Sequence, residues 1–227
     1  METTVKIYPA PEGLELSNTF TVTVEGEEVS VYKTKVPPAE PIPRLTGSSP
    51  EFGFASFASF DISTSVAVKV TCLKPVQSVK MLPTSFDTVP EVDGQKIIFT
   101  LDEPKQVTVE VNGDWHESLH IFANPFEEDV PEPDDPNAVY FGPGIHELTS
   151  LTVKDNTTVY IAGGAYVRCV VDPEQEPLEV GGRMRPSPSF VLHGKNITLR
   201  GRGIIDTVSC APLTTLWSSS LSKIREK

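Results

Sequence analysis

The feature that most constrains the fold is an internal repeat in the second half of the chain. Laying "VYIAGGAYV" (Val159 to Val167) over "ITLRGRGII" (Ile197 to Ile205) matches alternating apolar positions, a glycine, and then apolar residues again, at an offset of 38 positions. Strands meeting at glycine corners are the unit of a β-solenoid, because the chain must bend sharply where a Cβ would collide. Between the copies lies "DPEQEPLEVGGRMRPSPS", a loop-like insertion. Without it the period falls to roughly the low twenties, a suitable length for one coil. Residues 138–206 therefore read as the first coils, roughly two, of a parallel β-helix, and residues 207–227 as an irregular tail that loses the coil pattern.

A solenoid buries its core only by stacking neighbouring coils, so about three repeats and a cap are usually needed. With fewer, the open end presents unpaired strand edges and apolar interior. Self-association through that end is the expected consequence. The apolar "LTTLW" segment, Leu213 to Trp217, is the candidate for a cap.

The first half follows a different grammar. From Thr19, "TFTVTV" alternates, "EGEE" turns, and "VSVYKTKV" alternates back, which predicts a β-hairpin with one buried face. "PPAEPIPRLTGSSP", from Pro37 to Pro50, is too proline-rich for a central strand and reads as a loop crossing between sheets. Strand-like runs resume at "FGFASFASFDI", "SVAVKVTCL", "SVKMLP", "KIIFTL", "QVTVEV" and "LHIFAN". Short strands at that spacing predict an antiparallel β-sandwich over residues 1–123. The stretch 124–137, "NPFEEDVPEPDDPN", gathers carboxylates and prolines without an apolar period, and reads as a stiff, extended linker. The fold class is all-β, an antiparallel sandwich followed by a parallel β-helix.

Composition excludes several functions. A net charge of -12 repels phosphate backbones, so nucleic acid is not an expected partner. No apolar run is long enough to span a bilayer, so no membrane partner is expected. Cys72, Cys169 and Cys210 form no CxxC pair, which argues against a zinc ribbon or a disulfide scaffold. His116 and His120 lie in a strand-like run that spreads their side chains apart, so neither a metal site nor a cofactor is expected. The start, "METTVKIYPAPEG", lacks a signal-peptide pattern. Asn156 and Asn196 match the N-glycosylation acceptor, which matters only on a secretory route.

"VYFGPGIHELTSLTVKDNTTVYIAGGAYVRC" followed by "NITLRGRGIID" resembles the first coils of pectin-lyase-like right-handed β-helix proteins, especially the polygalacturonase type of glycoside hydrolase family 28. The run "HIFANPFEEDVPEPDDPNAVYFGPGIHE" looks like the junction after the N-terminal sandwich of some bacterial relatives and of dextranase-like glycosidases. The resemblance implies inverting hydrolysis of a polysaccharide by acidic side chains on adjacent coils, and a secreted protein. The family's Asn-Thr-Asp, Asp-Asp, Gly-His-Gly and Arg-Ile-Lys signatures belong to coils later than "GRGIID" and do not transfer to this chain. Compartment is therefore open, and two functional readings stand. The first is an N-terminal fragment or variant of a polygalacturonase-like hydrolase, inactive alone because the catalytic coils are absent. The alternative is a non-catalytic β module that binds glycan or protein.

Few residues qualify as site candidates. Asp206 ends the repeated strand where the family has "IIDG", and is the candidate catalytic carboxylate, with turn capping as its ordinary role. Trp115 offers a ring on which a sugar can stack, with closure of the sandwich edge as its ordinary role. Arg183 and Arg185 in "GGRMRP", with Arg202 in "LRGRG", would suit an acidic ligand if the fold gathers them. Tyr140 and Phe141 read as residues sealing the junction after the linker.

Overall fold

The computed structural model describes residues 4–36, 53–172, 174–180 and 183–207, without the side chains of Val180, Arg183 and Met184. The chain divides into two compact units, 1–130 and 131–227.

In the first unit the strands are β1 (Val5–Ile7), β2 (Phe20–Val24), β3 (Glu27–Val29), β4 (Val31–Val36), β5 (Gly53–Ile62), β6 (Val66–Cys72) and β7 (Val79–Leu82). After a 3-10 turn at Thr84–Phe86 come β8 (Glu91–Asp93), β9 (Lys96–Leu101), β10 (Gln106–Val111) and β11 (Asp114–Asn124). They form two sheets. One has the order β1-β5-β11-β10-β7 with β4 also on β5, and the other β3-β2-β6-β9-β8. Alternation decides the packing. Val22, Val24, Val68, Val70, Ile97, Phe99 and Leu101 from one sheet meet Ala58, Phe60, Ile62, Val107, Val109, Leu119 and Ile121 from the other in one core. Each large side chain so buried contributes about 1.5–3 kcal/mol before entropy is counted.

Two details depart from the expected pattern. The second arm of the predicted hairpin breaks at Ser30: β3 pairs with β2, while β4 leaves for the opposite sheet and pairs with β5. Ser30 holds the crossing point, its Oγ accepting the Ala10 N–H at 3.1 Å. The sandwich is also not wholly antiparallel, since β5 and β11 run parallel. The chain between them passes through the other sheet, as a parallel pair requires. The Pro37 to Pro50 segment lies outside the described residues.

Within the stretch read as a linker, residues 132–138 make two successive turns. Asp135 N–H bonds the Glu132 carbonyl at 3.1 Å, and Ala138 N–H bonds that of Asp135 at 3.0 Å. The Asp135 side chain receives the Asn137 N–H at 2.8 Å.

The second unit is a parallel β-helix. Its strands are β12 (Ala138–Phe141), β13 (Gly144–Leu148), β14 (Leu151–Val153), β15 (Thr158–Ile161), β16 (Ala165–Cys169), a hairpin of β17 (Leu178–Val180) and β18 (Arg183–Arg185), then β19 (Phe190–Leu192), β20 (Thr198–Gly201) and β21 (Ile204–Asp206). Three parallel sheets stack as β12-β15-β20, β13-β16-β21 and β14-β19. The insertion thus carries an antiparallel hairpin of its own. Ile161, Ala165 and Val167 fill the interior with Phe141, Leu148 and Phe190. Phe141 is therefore an interior residue of the helix, and its neighbour Tyr140 lies 5.3 Å, ring to ring, from Tyr160.

The repeat register shifts at the glycine corner. Val167 aligns with Ile205, 38 positions on, as the sequence repeat has it, but Val159 aligns with Leu199, 40 positions on. The second corner is two residues tighter, and an even slip keeps every side chain on its own face. Gly201 and Gly203 permit that tightness. A Cβ on Gly201 would lie 1.9 Å from the Ile161 carbonyl oxygen, and one on Gly203 would lie 2.2 Å from Ile161 Cγ2.

Candidate functional site

Because Ala165, Val167 and Cys169 point inward on β16, Tyr166 and Arg168 point outward. Parallel stacking aligns Glu147, Arg168 and Asp206 in one row across β13, β16 and β21, with Ile145, Tyr166 and Ile204 in a nearby row. Tyr166 Oη donates to Asp206 Oδ2 at 2.8 Å. Arg168 Nη1 stands 3.8 Å from Glu147 Oε1, and its guanidinium lies 5.9 Å from the Tyr166 ring centre. This outer face gathers two carboxylates, a guanidinium and a phenol from three consecutive coils.

At about 4.8 Å per strand, the backbones of Glu147 and Asp206 are about 9.6 Å apart. That spacing is of the order seen for inverting carboxylate pairs, about 6.5–9.5 Å between the carboxyl groups. Arg168, however, projects from the middle strand between them, where a scissile oxygen and its attacking water would sit. Chemically the row is a hydrogen-bonding surface suited to sugar hydroxyls. A second ladder, Tyr140, Tyr160 and Arg200, lies across β12, β15 and β20, with Arg200 5.8 Å from the Tyr160 ring centre. Tyr160 is only 3% exposed, so that ladder offers no open platform.

Asp206 thus joins the row, and a phenol donates to its carboxylate. Trp115 stands on β11 with 62% of its surface exposed, which does not match closure of the sandwich edge. Arg185 lies on β18, and its Nε is buried without a hydrogen-bond partner among the described residues. The Arg183 side chain lies outside the described residues. Arg202 sits, partly buried, at the corner between β20 and β21, a different element from the hairpin that carries the other two arginines. In the sandwich, His120 Nδ1 lies 2.9 Å from Thr108 Oγ1 and its Nε2 lies 3.3 Å from Ser118 Oγ, so both ring nitrogens are occupied. Burial pushes the His120 imidazole below its ordinary value. Glu147, Tyr166 and Arg168 escaped the sequence reading. The offset that pairs Tyr166 with Ile204 also aligns Arg168 with Asp206, and that signal was available.

No protein-family model matches the chain, and no curated protein matches it. Among solved structures, the chain is similar to Dex49A from Penicillium minioluteum, a dextranase with a right-handed β-helix, at 17% identity and a TM-score of 0.53. The match covers 90% of this chain and 48% of that one, so the chain spans about half the length of the structure it resembles. The likeness shows the fold alone, strands in sheets with a right-handed parallel β-helix. The likeness does not single out family 28.

Proposed function

We propose that this chain serves polysaccharide breakdown as the glycan-contacting part of a β-helix glycoside hydrolase, with a glucan of the dextran kind as the first substrate to consider. The observation that carries the reading is the similarity to a dextranase along nearly the whole chain, sandwich and helix together. The outer row of Glu147, Arg168 and Asp206 supplies hydrogen-bonding groups for sugar hydroxyls. The reading gives this row a binding role and no acid/base step. Arg168 between the two carboxylates also favours the alternative of a non-catalytic glycan-binding module.

The test measures reducing-end release and retention of the purified chain on dextran and on polygalacturonate. Retention without release is the expected result. Release abolished by Asp206→Asn would place the acid/base chemistry within these coils. Neither release nor retention on any polysaccharide tried would sink the reading.

A further inference from the structure

We propose that the sandwich carries a glycan-binding subsite of its own, built around Trp115 beside a small cavity, and that it takes neutral sugars in preference to uronates. This rests on the polysaccharide reading above for its ligand class, but the site is separate from the Glu147–Arg168–Asp206 row.

The cavity measures about 190 Å³, and its lining includes Leu73, Lys74, Asn112, Asp114 and Glu117. Leu73 is 64% exposed and Trp115 62%, two large apolar side chains left open at one end of the unit. Trp115 lies in the chain between Asp114 and Glu117, both of which line the cavity, where the pairing of β10 with β11 shifts register between Val109–Leu119 and Val111–Asp114. The hairpin before them fixes the geometry. Asn112 and Gly113 both have positive φ, the conformation a two-residue hairpin turn of this twist requires. Asp114 Oδ1 then receives the N–H groups of His116 and Glu117 at 3.0 and 3.2 Å. Trp115 is thereby held between two pinned neighbours, with its ring against that of His116 at 3.4 Å between centres.

The polar groups choose the ligand. Asn112 directs its amide to the Pro75 carbonyl and the N–H groups of Gln77 and Ser78, so it shapes the wall. Lys74 Nζ and Glu117 Oε2 pair at 2.9 Å and are both well exposed, leaving donors and acceptors side by side at the rim. An indole face next to such a pair suits a sugar, whose C–H face is apolar and whose edge carries hydroxyls. Two carboxylates against one ammonium oppose a polyuronate. The cavity is below the about 300–1,000 Å³ of sites that engulf a ligand. It accepts one unit or a substituent while the rest of the glycan lies across the indole.

The experiment is native electrophoresis of the full chain through gels containing dextran, a neutral xylan or polygalacturonate, for the wild type, Trp115→Ala, Trp115→Phe and Arg168→Ala. The expected result is retardation by a neutral glycan, weakened on the order of tenfold in Trp115→Ala, the scale of truncating an aromatic anchor. Trp115→Phe should retain most of it, Arg168→Ala should leave a Trp115-dependent part, and polygalacturonate should retard least. Equal retardation of Trp115→Ala and the wild type would overturn the subsite while leaving the broader reading intact. So would retardation mainly by polygalacturonate. Trp115-dependent retardation from a chain that neither releases reducing ends nor responds to Arg168→Ala would keep the subsite and remove the helix row from the account.

Discussion

Asn196 sits one coil above Asn156, its Nδ2 donating to Asn156 Oδ1 at 3.0 Å, and both residues hold φ at 55°. The left-handed corner explains the asparagines, since their short amides tolerate positive φ and can bond along the stack. Asn196→Ala should lower stability by about 1–2 kcal/mol, because alanine lacks both the amide bond and asparagine's tolerance of that conformation. Asn196→Gly should cost less, because it loses the amide bond but not the backbone fit. Urea unfolding midpoints of the two variants check this. Equal losses would mean that the amide bond matters and the backbone does not.

Gly201 is constrained by proximity as well as by its φ of 131°. The nearest atom to an added Cβ is a backbone oxygen, which cannot rotate away. Gly201→Ala is expected to destabilise the helix by about 3 kcal/mol or more, combining backbone strain with overpacking. Gly13, at φ 83°, has nothing within 4 Å of an added Cβ, so Gly13→Ala should show strain alone, about 1 kcal/mol. The gap between the two measures the tightness of the coil stack.

The parts of this fold legible in sequence are those set by local alternation. The run from Val66 to Cys72 is visible because one side chain in two is apolar, the run from Gly53 to Ile62 because it is rich in phenylalanine, and both form strands. The parallel pairing of β5 with β11 was not legible, because alternation states which face is buried and not which neighbour a strand will take. The register slip between Val159 and Val167 was hidden for a related reason: 38 and 40 preserve the same inward pattern, and only the Gly201 contact with Ile161 decides. The candidate row suffered most. Tyr166 and Asp206 are 40 residues apart and meet only because the coils stack, whereas Asp206 alone looked like a turn cap.

Within that row the contacts differ in strength. Tyr166→Phe removes a hydrogen bond to a carboxylate and should cost about 1 kcal/mol or somewhat more. Glu147→Gln should change stability by less than about 0.5 kcal/mol, because its pairing with Arg168 is long and open to water. Denaturation curves test the ranking. A larger effect for Glu147 than for Tyr166 would contradict the geometry.

His120 gives the sandwich a pH dependence of definite sign. Its imidazole is held below the ordinary value by burial, so the folded state favours the neutral ring and the unfolded chain binds the proton more readily. The stabilisation is fully present above the unfolded value of about 6.5 and is lost as pH falls through the lower folded value. The wild type should therefore weaken between neutral and mildly acidic pH relative to His120→Gln. Urea midpoints for both proteins at several pH values read this directly, and parallel curves would remove His120 as the cause.

Inward columns of the helix end in exposed residues on the last described strands. Val159 and Val167 are fully buried, yet Leu199, paired with Val159, is 43% exposed and Ile205, paired with Val167, is 38% exposed. The same inward position therefore carries different energetic weight one coil apart, because a side chain inside a solenoid is covered by coils on both sides. Val167→Ala is expected to cost on the order of 2 kcal/mol, through lost burial and the cavity it leaves. Ile205→Ala, although it deletes more atoms, should cost about 1 kcal/mol or less because those atoms are already partly in water. Measuring both in urea decides whether anything covers the end face in solution. A loss at Ile205 as large as that at Val167 would mean that a further layer of chain or a second molecule packs on it.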